Sequence, residues 1–221
     1  MTEETGLSWV AAECDDLEDL PVEELDCLAE RGPVEAMLCV AERAVAVLSQ
    51  PAAVRLGQDV RRLMESSLPD ATIRTVWLGA TDHVFDPAKD GISTRTWLWK
   101  MEQAWLTAER RNDPAFISPP AAPETDERLR RDVLQAIGRI DHDLTGAVEN
   151  RIYPLSLPGL VPALELVTVR ACADLGYRMV LRALKANYVA VDAKSRDMFV
   201  ELGSRFGHAR SLVTKDLNHQ A

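Results

Sequence analysis

Three glutamates in apolar surroundings are the residues of this 221-residue chain best suited to acid–base chemistry. Glu165 lies in a very apolar stretch, on the side of a predicted helix opposite its charged residues. A carboxylate there is desolvated, and a desolvated carboxylate needs a partner, a metal or a raised pKa. Three alternatives are open: a structural ion pair, a ligand or acid–base group in the core, or a first-turn position that reaches water.

Glu102 and Glu109 are the other two glutamates, and both lie on a predicted Trp-rich helix about two turns apart. One face of this helix carries Trp97 and Trp105, and Trp99 is apolar again on the far side of the glutamates. Ligand pockets are mostly apolar and contain a few polar groups that fix the ligand. The pattern is therefore typical of a pocket wall.

The same pattern has two other interpretations. It suits a helix that packs between two neighbours and pairs its glutamates with arginines, for which Arg95 is on the correct side of Glu102. It also suits a protein interface. The sequence leaves a structural helix, a small-molecule pocket and an interface open.

Asp141 and Arg151 are predicted to contribute to the same site as Glu165. On the helix predicted over residues 125–153, Asp141 borders the core face and Arg151 lies within it. Both could meet a buried carboxylate, and Arg151 would neutralise its charge.

No metal site is predicted, and no particular cofactor is indicated. Carboxylate-bridged metal centres in helical bundles need a Glu-x-x-His motif, which the chain lacks. His142 and His208 each lie seven residues from a glutamate, about 10 Å along a helix axis. Both are predicted to face solvent. Phosphate-binding glycine loops and the common serine-hydrolase and zinc-protease motifs are also missing from the sequence.

The acidic run over residues 15–19 (DDLED) resembles the Asp-Asp-x-x-Asp motif with which isoprenoid synthases hold magnesium and diphosphate. The resemblance implies an all-helical fold and magnesium-dependent diphosphate binding, but it covers only five residues. The second metal motif of that family is incomplete, because Asp192 and Ser195 begin it and Phe199 stands where a glutamate is required. We therefore assign no family from the sequence.

The apolar periodicity predicts an all-α protein, an irregular bundle of about eight or nine helices around a long apolar central helix. The central helix is predicted over residues 159–188. Its charged residues share one solvent-facing sector about a third of the circumference wide. They are Arg170, Asp174, Arg178, Arg182 and Lys185.

A single domain over residues 1–221 is predicted from the length. It comprises an N-terminal lobe (1–111), a Pro-rich linker (112–124) and a C-terminal three-helix lobe (125–221). Residues 1–35 form an acidic arm, with twelve Asp and Glu residues and one Arg. This charge argues against nucleic acid as a partner of the arm. A basic partner, or the Arg-rich helices of the chain itself, could dock it.

The composition predicts a cytoplasmic bacterial protein. No apolar run approaches the roughly 18 residues of a membrane span, and the acidic start lacks the basic segment of a secretory signal. The four cysteines form no C-x-x-C pair. Arginine is far more abundant than lysine, which is typical of GC-rich bacterial genomes.

Two functions are compatible with these observations. The first is a protein that binds a small apolar ligand, or a biosynthetic enzyme, with buried carboxylates in an apolar Trp-lined pocket; Glu165 and Glu102 would be its acid–base groups. The second is an interaction or regulatory protein that uses the acidic arm and the outer strip of the Trp-rich helix. The second hypothesis predicts a homodimer or another protein partner.

Overall fold

A computed structural model describes residues 4–15, 21–121, 126–150 and 156–218, apart from the side chains at positions 15, 24, 27 and 28. Within these ranges the chain forms eleven α-helices and no β-strand, which confirms the all-α prediction. A short 3-10 turn at Pro87–Asp90 precedes α6. The helices are α1 (Leu7–Asp15), α2 (Val22–Arg31), α3 (Pro33–Val47), α4 (Gln50–Glu65), α5 (Asp70–Ala80), α6 (Thr94–Asn112), α7 (Glu127–Glu149), α8 (Leu160–Arg170), α9 (Ala173–Ala186), α10 (Ala193–Arg205) and α11 (Arg210–Thr214).

Side-chain caps begin several of these helices. Ser93, Asp126 and Asp192 each accept the backbone N–H three residues further on, at the starts of α6, α7 and α10. Such caps satisfy N–H groups that have no partner inside the helix. At the start of α5, Asp70 is the first helical residue and contributes an acidic group to the first turn.

The predicted central helix over residues 159–188 is two helices, α8 and α9, so the prediction of one long helix is wrong. Cys172 has an extended backbone with φ −168° and ψ 133°. The backbone N–H groups of Ala171 and Cys172 both donate to the carbonyl of Val167, at 3.0 and 3.1 Å. This arrangement ends α8 and redirects the chain into α9.

The break contains neither glycine nor proline, but its charges fit two helix ends. Arg170 lies in the last turn of α8 and Asp174 in the first turn of α9, where each complements the helix dipole. The two helices then approach closely, because a Cβ atom at Gly176 would lie 2.1 Å from the hydroxyl of Thr168. The absence of a side chain at Gly176 therefore permits the close contact between α8 and α9.

The charged sector predicted to face solvent is largely buried on α9. Arg178 is 0% exposed, Arg182 7% and Lys185 8%, whereas Asp174 is half-buried and Arg170 is exposed. The residues before α1 cover this face of α9, which also packs against α5, α7 and α8. The prediction failed because helical periodicity shows which residues share a face and not what lies over it.

Residues 4–15 of the acidic arm pack into the core, whereas the described part of 21–35 is largely exposed. Trp9 and Val10 of α1 are fully buried. Arg43 of α3 pairs with Glu13 at 2.7 Å and lies over the ring of Trp9, 5.4 Å from its centre. The Arg-bearing helices of the chain itself therefore dock this segment.

The Trp-rich helix α6 packs against α3, α4 and α5. One side of α6 contributes to the core, and the other borders a surface shared with α2 and α3. Among the described helices, none combines the length and the apolar character needed to cross a membrane.

Candidate functional site

Arg178, in the middle of α9, forms the most deeply buried ion pair among the described residues. Its two terminal nitrogens bind the carboxylate of Asp59 on α4 at 2.7 and 2.8 Å, in the bidentate geometry that arginine favours. Its Nε donates to Asp174 at 3.1 Å, and its Nη1 also donates to the carbonyl of Thr5 at 2.9 Å. The backbone N–H of Leu7 donates to Asp59 at 3.0 Å. The pair thus joins α4, α9 and the segment before α1.

His208, between α10 and α11, extends this network. Its Nε2 lies 2.5 Å from Oδ1 of Asp174, and Nη1 of Arg55 lies 3.4 Å from its Nδ1. His208 therefore links Asp174 of α9 with Arg55 of α4. The ring is stacked on Tyr177 at 6.0 Å, and the side chain is only 5% exposed. The prediction that His208 faces solvent is therefore wrong.

The electrostatics of the network follow from its burial and its charges. Burial lowers the pKa of Arg178, but the carboxylates of Asp174 and Asp59 outweigh this and raise it above its ordinary value. Burial raises the pKa of Asp174, but Arg178 and His208 outweigh this and hold it well below its ordinary range. The ionised forms of both groups are therefore stabilised in the folded protein.

The C-terminal end of α9 is held by similar hydrogen bonds and an ion pair. Lys185 donates to Glu4 at 2.8 Å and to the carbonyl of Leu212 at 2.7 Å. Arg182 donates to the carbonyl of Ala80 at 3.0 Å. One oxygen of Glu4, Oε2, has no partner among the described residues. These contacts fix the N-terminal segment, α5 and α11 onto α9, and we assign the whole network a structural role.

Glu102 on α6 is buried and paired, as the structural interpretation of the Trp-rich helix predicted. Its partner is Arg61 of α4 at 2.9 Å, and Arg61 also lies 3.3 Å from the hydroxyl of Ser118. Arg95 is not the partner. It binds the carbonyls of Leu63, Ser66 and Leu68 after α4 and forms an ion pair with Asp70.

Glu109, two turns further along α6, has a different environment. Glu109 is only 6% exposed, and its Oε1 has no hydrogen-bond partner among the described residues. Burial raises the pKa of Glu109, the nearby indole N–H of Trp105 opposes part of the rise, and Asp113 adds to it. The Nε1 of Trp105 also lacks an aligned acceptor in the described chain. A buried donor and a buried acceptor are therefore left incompletely satisfied side by side.

Trp97 is fully buried and lines an internal cavity between α4, α5, α6, α8 and α9. The cavity has a volume of about 10 Å³, which is roughly the space for one water molecule. Its walls are apolar except at Thr94 and the indole of Trp97, whose Nε1 has no partner among the described residues. No carboxylate lines it, so the predicted Trp-lined pocket with carboxylates is not assembled there.

The remaining predicted site residues lie elsewhere. Glu165 is half-buried and lines a surface groove between α7 and α8, so the prediction of a core carboxylate is wrong. Because the chain breaks between α8 and α9, the faces of the two helices are not in register. The position of Glu165 relative to the charges of α9 therefore does not predict its burial on α8. Asp141 is exposed and accepts from Thr145 of its own helix at 2.9 Å. Arg151 lies outside the described residues, as do residues 16–19 of the Asp-rich run.

A second surface groove, which we call the Trp99 groove, lies where α2 ends between α3 and α6. It has a volume of about 280 Å³. All five tryptophans are described, and Trp99 is 50% exposed whereas the other four are at most 3% exposed. The groove is lined by Arg31, Glu35, Leu38, Cys39, Glu42, Trp99, Lys100, Gln103, Ala104 and Thr107. Its lining combines apolar side chains with charged groups of both signs.

Sequence reasoning missed the Arg178–Asp59 pair, although one signal was present. Asp59 stands on the face of α4 that also carries Leu56 and Leu63, and a charge on an apolar face predicts a buried partner. His208 had no comparable signal. In the described part of the chain, no cluster of three or more His, Cys, Asp or Glu side chains is arranged to hold a metal ion.

Comparisons with protein-family models, with curated proteins and with solved structures found no match to this chain.

Proposed function

We propose that this protein binds an amphipathic helix of a partner protein in the Trp99 groove. The observation that carries the proposal is the half-exposed indole of Trp99 in a groove that is also lined by charged side chains. Tryptophan is enriched among the residues that dominate binding free energy at protein interfaces. A mixture of apolar and charged lining also matches the usual composition of such interfaces.

The shape of the groove favours a helix as the bound element. It lies between α3 and α6, and a groove between two helices accommodates the apolar face of a third. Its volume of about 280 Å³ lies just below the usual range for small-molecule pockets, roughly 300–1,000 Å³. Two or three apolar side chains at helical spacing would fill it.

The rim defines the charges of the partner. Arg31 and Lys100 provide positive charge and Glu35 provides negative charge, whereas Glu42 is already paired with Arg111 at 2.7 Å. A complementary helix therefore carries an apolar stripe with acidic residues facing the two cations and a basic residue facing Glu35. Such complementarity contributes mainly to specificity and to the rate of association.

The proposal can be tested with a displayed library of amphipathic helical peptides. Peptides selected on the wild-type protein are expected to carry large apolar residues at i and i+4. Their affinity for the wild-type protein and for each variant is read from the fluorescence anisotropy of labelled peptide, and acrylamide quenching of the wild-type protein reports on Trp99, the exposed indole. We expect bound peptide to protect Trp99 and Trp99→Ala to weaken binding at least about tenfold.

Val47→Ala is the matched control for that experiment. Val47 is 48% exposed on α3, close to the value for Trp99, but it does not line the groove. Its substitution should leave peptide affinity unchanged. Peptides that bind wild type and Trp99→Ala equally well, or a selection that returns no groove-dependent binder, would contradict the proposal.

A second candidate function is supported by Glu109. As the alternative, we propose that the protein binds a small polar ligand. The ligand accepts a hydrogen bond from Nε1 of Trp105 and donates one to Oε1 of Glu109, because both atoms lack aligned partners in the described chain. Native mass spectrometry of freshly purified protein should then show added mass that is lost on denaturation. Glu109→Gln should reduce its occupancy, whereas an unliganded wild-type protein would argue against this candidate.

We include in the proposal a cytoplasmic location in a bacterial cell. It is supported by the predominance of arginine over lysine. Fractionation of cells that express the protein from its own promoter tests it directly.

A further inference from the structure

The groove between α7 and α8 combines exposed apolar side chains with two opposite charges. Val169 is 46% exposed, and Leu134 and Leu166 are half-buried around it. The groove has a volume of about 560 Å³. Glu165 and Arg170 also line it, and neither forms an ion pair within the described part of the chain. The surface therefore has both apolar area and charge available to a partner.

The positions of these residues along α8 follow a defined order. Leu166 and Val169 are three residues apart and share one stripe of the helix. Glu165 precedes the stripe and Arg170 follows it, five residues later. At 3.6 residues per turn, these two lie about 140° apart around the axis. They border opposite edges of the stripe and are too far around the helix to pair with each other.

The same order of apolar and charged residues occurs in a parallel two-stranded coiled coil. In such a pair, Leu166 and Val169 occupy the a and d positions of a heptad, Glu165 the preceding g position and Arg170 the following e position. Residues at g and e form ion pairs between the two helices. Across a two-fold axis parallel to the helices, Glu165 meets Arg170 of the partner subunit, and the same contact occurs twice.

We propose that the protein forms a symmetric dimer in which α8 of each copy packs in parallel into the α7–α8 groove of the other. A second copy is the fitting occupant because the charges are self-complementary, as an isologous interface requires. The apolar stripe on α8 is short, and Leu134 of α7 enlarges the contact. This surface does not include Trp99, so the proposal is independent of the proposed function.

Sedimentation velocity over a range of micromolar protomer concentrations tests the dimer and its geometry. The wild-type protein is expected to be dimeric. Glu165→Arg and Arg170→Glu should each weaken the dimer at least about tenfold, because each replaces two attractions by two repulsions. The double variant should return to within about threefold of the wild-type dissociation constant, because it restores both pairs with exchanged signs.

Glu201→Arg on α10 is the control, since Glu201 is an exposed helical glutamate that does not line the α7–α8 groove. It should leave the dimer unchanged. A second measurement tests the register: Val169→Cys should form a disulfide-linked dimer on oxidation, whereas Glu201→Cys should not. A monomeric wild-type protein, single reversals without effect, or a double variant as weak as the singles would each overturn the proposal.

Discussion

Helices α9 and α6 both bury charged side chains, and they differ in how completely those charges are paired. On α9, each nitrogen of the Arg178 guanidinium has an acceptor, and the acceptors belong to several segments of the chain. On α6, Glu102 is paired, but Glu109 and the indole of Trp105 keep atoms without aligned partners. The outer face of α6 also exposes Trp99.

The difference shows that a buried charge does not by itself indicate a binding or catalytic site. A buried ion pair carries a large desolvation penalty, and it persists where good geometry and additional hydrogen bonds offset that penalty. The network on α9 meets this condition and holds remote segments together. The functional candidates are instead on α6, where polar atoms and apolar surface remain available.

The largest expected effect comes from opening the network on α9. Arg178→Met leaves the carboxylate of Asp59 buried without its main partner, and loss of one member of a buried pair reduces stability by about 3–5 kcal/mol. Urea denaturation measures the change. Arg61→Met, which breaks the more exposed pair with Glu102, is the control and should reduce stability by about 1 kcal/mol. If the two substitutions reduced stability equally, the buried ion pairs of α9 and α6 would not differ in their contribution to stability.

Gly6 tests how tightly the N-terminal segment is seated on the network. Its φ is +62°, and an added Cβ would lie 2.2 Å from Oδ2 of Asp59. Gly91 has a similar φ of +70° with nothing near its Cβ position, so Gly91→Ala measures the backbone strain alone, about 1–2 kcal/mol. Gly6→Ala should reduce the free energy of unfolding by clearly more. Matching values would mean that Gly6 is required for its backbone conformation only.

The pKa of Asp174 predicts an acid-sensitive stability. The pKa of Asp174 in the folded protein lies below the unfolded value of about 3.9. Its ionised carboxylate therefore contributes fully to the free energy of unfolding at pH values above about 3.9. As the pH falls below this value, the unfolded chain binds the proton first and stability is lost towards the folded pKa. Asp174→Asn should be less stable at pH 7 and should lose less stability between roughly pH 5 and pH 2. Thermal unfolding over this range checks both effects. A variant as acid-sensitive as wild type would show that other carboxylates dominate.

The smallest expected effects distinguish the two glutamates of α6. Glu109→Gln removes a desolvated carboxylate and should raise stability at neutral pH by about 1 kcal/mol. Because burial raises the pKa of Glu109, wild-type stability should fall as pH rises through the unfolded and then the folded pKa, and the variant should lack this component. Glu102→Gln weakens the pair with Arg61 and should lower stability by a similar amount. If both substitutions changed stability in the same direction, Glu109 would not differ from Glu102 as an unpaired carboxylate differs from a paired one.

The fold class could be predicted because helical periodicity is a local property of the chain. The break between α8 and α9 could not, because Ala171 and Cys172 are compatible with a continuing helix and only flanking charges mark the ends. The burial of Arg178 was also beyond sequence reasoning. Its covering residue, Thr5, is 173 positions away, and no local pattern reports such a contact.

The packing of α6 was predicted in part, whereas the roles assigned to its residues stay predictions. The burial of Trp97, Trp105 and Glu102 follows from their shared side of α6, and a pairing with arginine was anticipated without the identity of Arg61. The unsatisfied Glu109 could not be recognised, because satisfaction of a hydrogen bond depends on the exact position of groups on other helices.

The contacts between Thr5 or Glu4 and α9 span 173 and 181 residues of the chain. At translation rates of about 5–20 residues per second, Arg178 is synthesised roughly 10–35 s after Thr5. Throughout that interval α1 has apolar side chains to bury and no completed surface to receive them. Until α9 has emerged from the ribosome, α1 can pack only on α3, α4 and α5, and the side that α9 covers stays accessible to other molecules.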